Sequence, residues 1–167
     1  LALLLAGPAL AGDIIVLQSG RKYGNAQSRV APTDEDYAGS NITIVEENLD
    51  KVIFKIDGVP TPQDRKSDDI DVTYHDPSLM PASLTRAKRL QGSNQLEDAY
   101  DLFEQAATDT SAPKWAQAEA AYRMGEVLWQ AGALDDAAKS FDTFLSKWKS
   151  SKYVPSATQA NARIKLE

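Results

Sequence analysis

His75 is the only histidine in the sequence, and cysteine is absent. A lone imidazole can serve as a general base or change charge near neutral pH. It cannot build a multi-histidine metal site, and a chain without thiols has no disulfides, thiolate ligands or cysteine nucleophiles. Within "DIDVTYH" the period of two puts His75 on the face of Asp71 and Thr73, away from Val72 and Tyr74, which reads as a surface histidine. The acid-rich stretches "DEDY" at 34–37 and "DRKSDDID" at 64–71 have the oxygen ligands for a cation. They lack the alternating Asp/Asn ladder and closing Glu of a calcium loop, so they read as solvated loops. No nucleophile elbow, phosphate-binding glycine loop or zinc-protease helix is present. The expectation is a non-enzyme: no catalytic residues, no metal and no cofactor. "NIT" at 41–43 has the form of a glycosylation sequon and reads as part of a strand.

A second group of polar residues, Lys147, Lys149 and Lys152, lies near Trp148 and Tyr153 in "SKWKSSKY". Basic residues with aromatics can touch an anionic surface, but lysines at a helix C-terminus also complement its dipole, and the second reading is preferred. The formal net charge is -6. Residues 12–78 carry 13 acids and 7 bases and residues 79–167 carry 11 of each, so neither half has the basic excess that nucleic acid requires.

Two kinds of element must position these residues. From Asp13 to His75 the apolar residues alternate: Val52, Phe54 and Ile56 share one face of "KVIFKID", and "DIIVLQSG", "NITIVEE" and "DIDVTY" follow suit. Turns are expected at Ser19-Gly20, Glu47–Asp50 and Asp57-Gly58. Four to six short strands in about 60 residues must close, or nearly close, to bury an apolar face, which predicts a small SH3-like or Sm-like barrel. Beyond the prolines of "HDPSLMPASL" the period becomes 3.6. Leu90/Leu128, Leu96/Leu134, Ala99/Ala137, Phe103/Phe141 and Trp115/Tyr153 are all 38 residues apart, the mark of stacked helical hairpins. The opening "LALLLAGPALA" runs apolar to a small-residue site at Ala9-Leu10-Ala11. It reads as the end of a secretory signal peptide, too short to span a bilayer.

The stretch "AEAAYRMGEVLWQAGALDDAAKSFDTFL" at 118–145 resembles the tetratricopeptide repeat (TPR) family, with Gly125, Gly132, Ala137 and Phe141 at the family's glycine, small and aromatic positions. Gly125 would then sit where two helices cross and leave room for Phe141, and Gly132 would end the first helix in a left-handed conformation. The upstream copy has Ala87 and Asn94 at the two glycine positions, and Asn94 with Glu97 is similar to a helix-capping pair. The spacing of 38 exceeds the family's usual period of about 34. Together with the signal-peptide and strand readings, the resemblance, which covers 82–167, predicts an α+β chain: residues 1–11 a signal-peptide end, 12–76 a small β domain, 77–81 a linker, and 82–167 a TPR solenoid of two complete hairpins and a truncated third. In that third hairpin the apolar side of the last helix, including Ala160 and Ile164, would lack a cover. The resemblance also implies a groove lined by Lys88, Tyr122, Arg123, Glu126 and Trp129 as a candidate peptide-binding set. The function so implied is an exported, periplasmic scaffold that docks protein or peptide partners of the cell envelope or a second copy of itself. It would use no nucleic acid and no membrane span. The alternative is a ligand-sensing or accessory subunit of an envelope enzyme or transport complex, with the ligand held in the β domain.

Overall fold

The computed structural model describes residues 13–17, 22–25, 38–39, 42–75 and 80–166. The signal-peptide reading of residues 1–11, the Ser19-Gly20 turn and "DEDY" fall outside the described residues.

Among the described residues seven short strands come first: β1 (Ile14–Leu17), β2 (Lys22–Asn25), β3 (Ala38–Gly39), β4 (Ile42–Glu47), β5 (Lys51–Ile56), β6 (Gln63–Lys66) and β7 (Ile70–Tyr74). They form two open sheets, ordered β3-β2-β1-β7 and β4-β5-β6. The second is antiparallel throughout, and between the two sheets there is a bridge at Asp13 and Ile42. The expected barrel is therefore wrong. Closure was expected because an apolar sheet face must be covered, but helices cover it here. Val52, Phe54 and Ile56 point inward from β5 as the alternation predicts, and they share one core with Leu84, Phe103, Trp115 and Val127 of the helices. The β4–β5 turn is set by Asn48, whose Oδ1 accepts from the amides of Asp50 (3.1 Å) and Lys51 (2.8 Å). Gly58, with φ of 83°, turns β5 toward β6.

Five helices follow among the described residues: α1 (Ala82–Gly92), α2 (Leu96–Thr108), α3 (Lys114–Gln130), α4 (Leu134–Lys147) and α5 (Val154–Ile164). They make two hairpins and one further helix. The predicted solenoid is not formed, because five helices are too few for the roughly three repeats that a solenoid needs to bury its faces. The strands pack instead on α3, through β4, and share one apolar core with the first three helices. Within the second hairpin, a Cβ on Gly125 would lie 2.6 Å from Phe141 Cε1. Gly132 has φ of 77°, and Asn94, at the same place in the first hairpin, has φ of 60°. Asn94 thus ends a helix rather than starting one: α2 begins after Gln95, and no side chain caps it. The expectation of an uncovered α5 also fails, since Ala157, Ala160 and Ile164 are buried in a second apolar cluster with Phe141 and Phe144 of α4.

Candidate functional site

The chemistry-bearing residues gather in two places, of which the first is the seam between strands and helices. Asp13, just ahead of β1, is buried, and its Oδ2 accepts from the Ile44 amide at 2.5 Å. Glu47 at the end of β4 is buried as well; its carboxylate accepts from the Thr73 hydroxyl and meets Lys152 of the α4–α5 turn. His75, following β7, lies between the two acids. Its Nε2 is 3.2 Å from Glu47 Oε2, and its Nδ1 is 3.7 Å from Asp13 Oδ1, an ion-pair distance rather than a hydrogen bond. One face of the imidazole is stacked on the indole of Trp115, with ring centroids 3.5 Å apart and planes at 11°. Trp115 in turn donates from Nε1 to the Ile44 carbonyl at 3.0 Å. The reading of His75 as a surface histidine is therefore wrong: its side chain is 13% exposed. The alternation places it on the Thr73 face correctly, but that face is covered by α3, which a strand pattern cannot reveal.

Environment shifts both titrating groups of the seam. Burial alone would raise the Glu47 pKa, yet the hydrogen bond with His75 and the charge of Lys152 outweigh it and bring the value down to about 2. For His75, burial opposes the charged form, but the Asp13 and Glu47 carboxylates prevail and hold its pKa above the usual histidine value. Charged groups so placed are a structural clamp. The imidazole edges are taken by carboxylates and one ring face by indole.

The second place is the outer face of α1 and α3, where the sequence reading put its peptide-binding set. Lys88 meets Glu119 (2.8 Å), and Arg123 meets Glu126 (2.8 Å) and Glu119 (3.8 Å). Trp129 lines a shallow recess with Arg123 and Glu126. Four of the five residues thus converge. Tyr122 does not join them as a surface anchor: its ring is buried, stacked on Tyr153 at 4.9 Å and packed on Phe144, and only its hydroxyl reaches Glu126 at 2.7 Å. Burial, then hydrogen bonding to Glu126, raises the Tyr122 pKa. The charges of this face are largely spent on one another, which leaves little for a partner.

A larger apolar recess, not singled out from the sequence, lies on the opposite side, where α2 and α4 flank α3. It is a groove of about 600 Å³. Ala121, Met124 and Leu128 of α3 form its floor, Tyr100 of α2 and Trp148 stand at its sides, and Glu104, Asp136, Lys139 and Lys147 line it. These apolar residues are only partly buried. The signal was present in Met124 and Leu128, spaced i, i+4, but the repeat pattern assigns both to packing. Among the described residues no group of three or more His, Asp or Glu side chains is placed to hold a metal ion, and no helix is long and apolar enough to cross a membrane. Comparison of the chain with protein-family models, with curated proteins and with solved structures gave no match.

Proposed function

We propose that the chain is a non-enzymatic docking protein that receives an amphipathic helix or peptide of a protein partner in the groove between α2 and α4. The observation that carries this reading is the groove itself: partly exposed Met, Leu, Tyr and Trp side chains on three helices, bordered by charges of both signs. An apolar floor with a polar rim is the usual anatomy of a protein interface. Export to the periplasm, read from residues 1–11, belongs to the same proposal. So does kinship with tetratricopeptide repeat proteins, which rests on Gly125, Gly132, Ala137 and Phe141 of the sequence. The rival reading, a ligand held in the β domain, would use the recess of about 340 Å³ lined by Glu47, Val52, Thr73 and Lys152. The docking reading is preferred because the apolar side of the strands is filled: Ile15, Ile42, Ile44 and Phe54 are buried in a core shared with the helices.

The test is site-specific photocrosslinking in the native envelope, with the crosslinker at Thr143 in the groove or, as a control, at exposed Thr158 on α5. A discrete adduct at 143, absent at 158 and lost when Ser140→Trp fills the groove, is the expected result. Equal labelling at both positions, or an adduct indifferent to the filled groove, would refute the docking site.

A further inference from the structure

We propose that His75 is a pH-sensitive latch between the strands and the helices: protonated, it ties Asp13 and Glu47 together against the Trp115 ring, and on losing its proton it lets this seam loosen. The geometry alone sets the requirement. Nε2 faces one carboxylate and Nδ1 faces the other. An imidazolium has a donor on each nitrogen, whereas neutral imidazole has one donor and one lone pair. Whichever tautomer a neutral His75 adopts, it turns a lone pair toward a buried carboxylate. Among the described residues, other groups also face the two carboxylates. Lys152 and the Thr73 hydroxyl serve Glu47, and the Ile44 amide serves Asp13. Tyr153, whose pKa is raised by burial and then by Glu119 and Glu47, stays neutral through the range in question. The face of Trp115 adds a further preference, since an aromatic face attracts a cation.

The seam that His75 holds is extensive. Trp115 reaches the β4 backbone through Ile44, and beside Glu47 the amide of Leu49 donates to the Ser150 carbonyl at 2.6 Å, joining the β4–β5 turn to the α4–α5 turn. Deprotonation therefore acts on the polar contact between strands and helices, which lies beside their shared apolar core. Its direction is fixed by the raised pKa of His75: the contribution is complete below the unfolded value of about 6.5 and is lost as pH rises through the folded value.

With only one histidine in the chain, the imidazole C–H resonances report His75 without ambiguity. The experiment follows these resonances and, in the same intact protein, hydrogen exchange at the Trp115 indole N–H and the Leu49 amide from pH 5.5 to 9. Rates are corrected for the intrinsic pH dependence of exchange. The expected result is titration above 6.5, with corrected exchange at both sites rising about tenfold or more across that titration while amides within α4 stay unchanged. His75→Gln, which has no proton to lose in this range, should abolish the pH dependence. A His75 that titrates at or below 6.5, or seam exchange that is flat across its titration, overturns the latch, and so does a rise that persists in the variant. Should the variant fail to fold, the wild-type titration decides alone.

Discussion

At the scale of single residues, Gly125 and Trp115 show how a side chain, or its absence, sets the packing. Any Cβ at position 125 would lie within 2.8 Å of three atoms of the Phe141 ring, which is itself fully buried and has nowhere to go. Alanine at this position gains about 1 kcal/mol of helix propensity but forces an overpacking that costs roughly 1–3 kcal/mol. Gly125→Ala should therefore be neutral to destabilising, and Gly125→Leu clearly destabilising by thermal melting. A raised melting temperature in either variant would mean that the helices do not cross at this glycine. Trp115→Phe keeps an aromatic face for His75 but removes the donor to Ile44. Leaving that buried carbonyl without its partner should cost about 1–3 kcal/mol, measured by chemical denaturation. A cost near zero would show that the indole N–H is not what fixes Trp115. The sequence points to Gly125, because repeats align it with a small residue and place an aromatic opposite. It does not point to Trp115, whose repeat partner Tyr153 lies in a different setting, stacked on Tyr122 instead of on a histidine.

Among the elements, helix ends carry the clearest sequence signal and strand coverage the poorest. Asn94 and Gly132 occupy equivalent left-handed positions after α1 and α3, a conformation that costs most L-residues roughly 1–2 kcal/mol. Asn94→Gly should hold or raise stability and Asn94→Ala should lower it by about 1 kcal/mol, a contrast that denaturation of the two variants resolves. Equal stabilities would mean that the first hairpin does not need a left-handed residue at this point. The strands β1, β4, β5 and β7 were legible from alternation, whereas β6, "QDRK", has no apolar residue to alternate and is seen only through its pairing with β5. The barrel failed for a related reason. Alternation says that one face of a sheet is buried, not what buries it, and here α3 does so where a closing strand was expected. The groove between α2 and α4 was missed likewise, because the apolar residues of a helix look the same whether a neighbour covers them or not.

For the molecule as a whole, the strand–helix seam makes stability depend on pH at the acid end of the range through the buried carboxylate of Glu47. The Glu47 pKa falls from 4.5 to about 2 in the folded protein, despite its burial, because His75 and Lys152 favour the carboxylate. A depressed pKa contributes stability that is complete above the unfolded value and disappears as pH falls through the folded one. The Glu47 contribution should therefore be intact at pH 6 and be lost progressively between pH 4.5 and about 2. Glu47→Gln keeps the size and one acceptor oxygen but leaves Lys152 without its counter-charge and His75 with Asp13 alone. Breaking a buried pair in this way typically costs about 3–5 kcal/mol. At pH 6 the variant should unfold at a clearly lower denaturant concentration than the wild type, and the two curves should converge as pH approaches 2, where the wild-type carboxyl has taken up its own proton. Lys152 is 40% exposed at its side chain, so water screens it, and Lys152→Met should reproduce only a fraction of the loss. A difference between wild type and Glu47→Gln that stays constant from pH 6 to 2.5 would mean that the carboxylate charge is not what binds the strands to the helices. The seam would then depend on the apolar core shared by Ile44, Phe54, Leu84 and Trp115 alone.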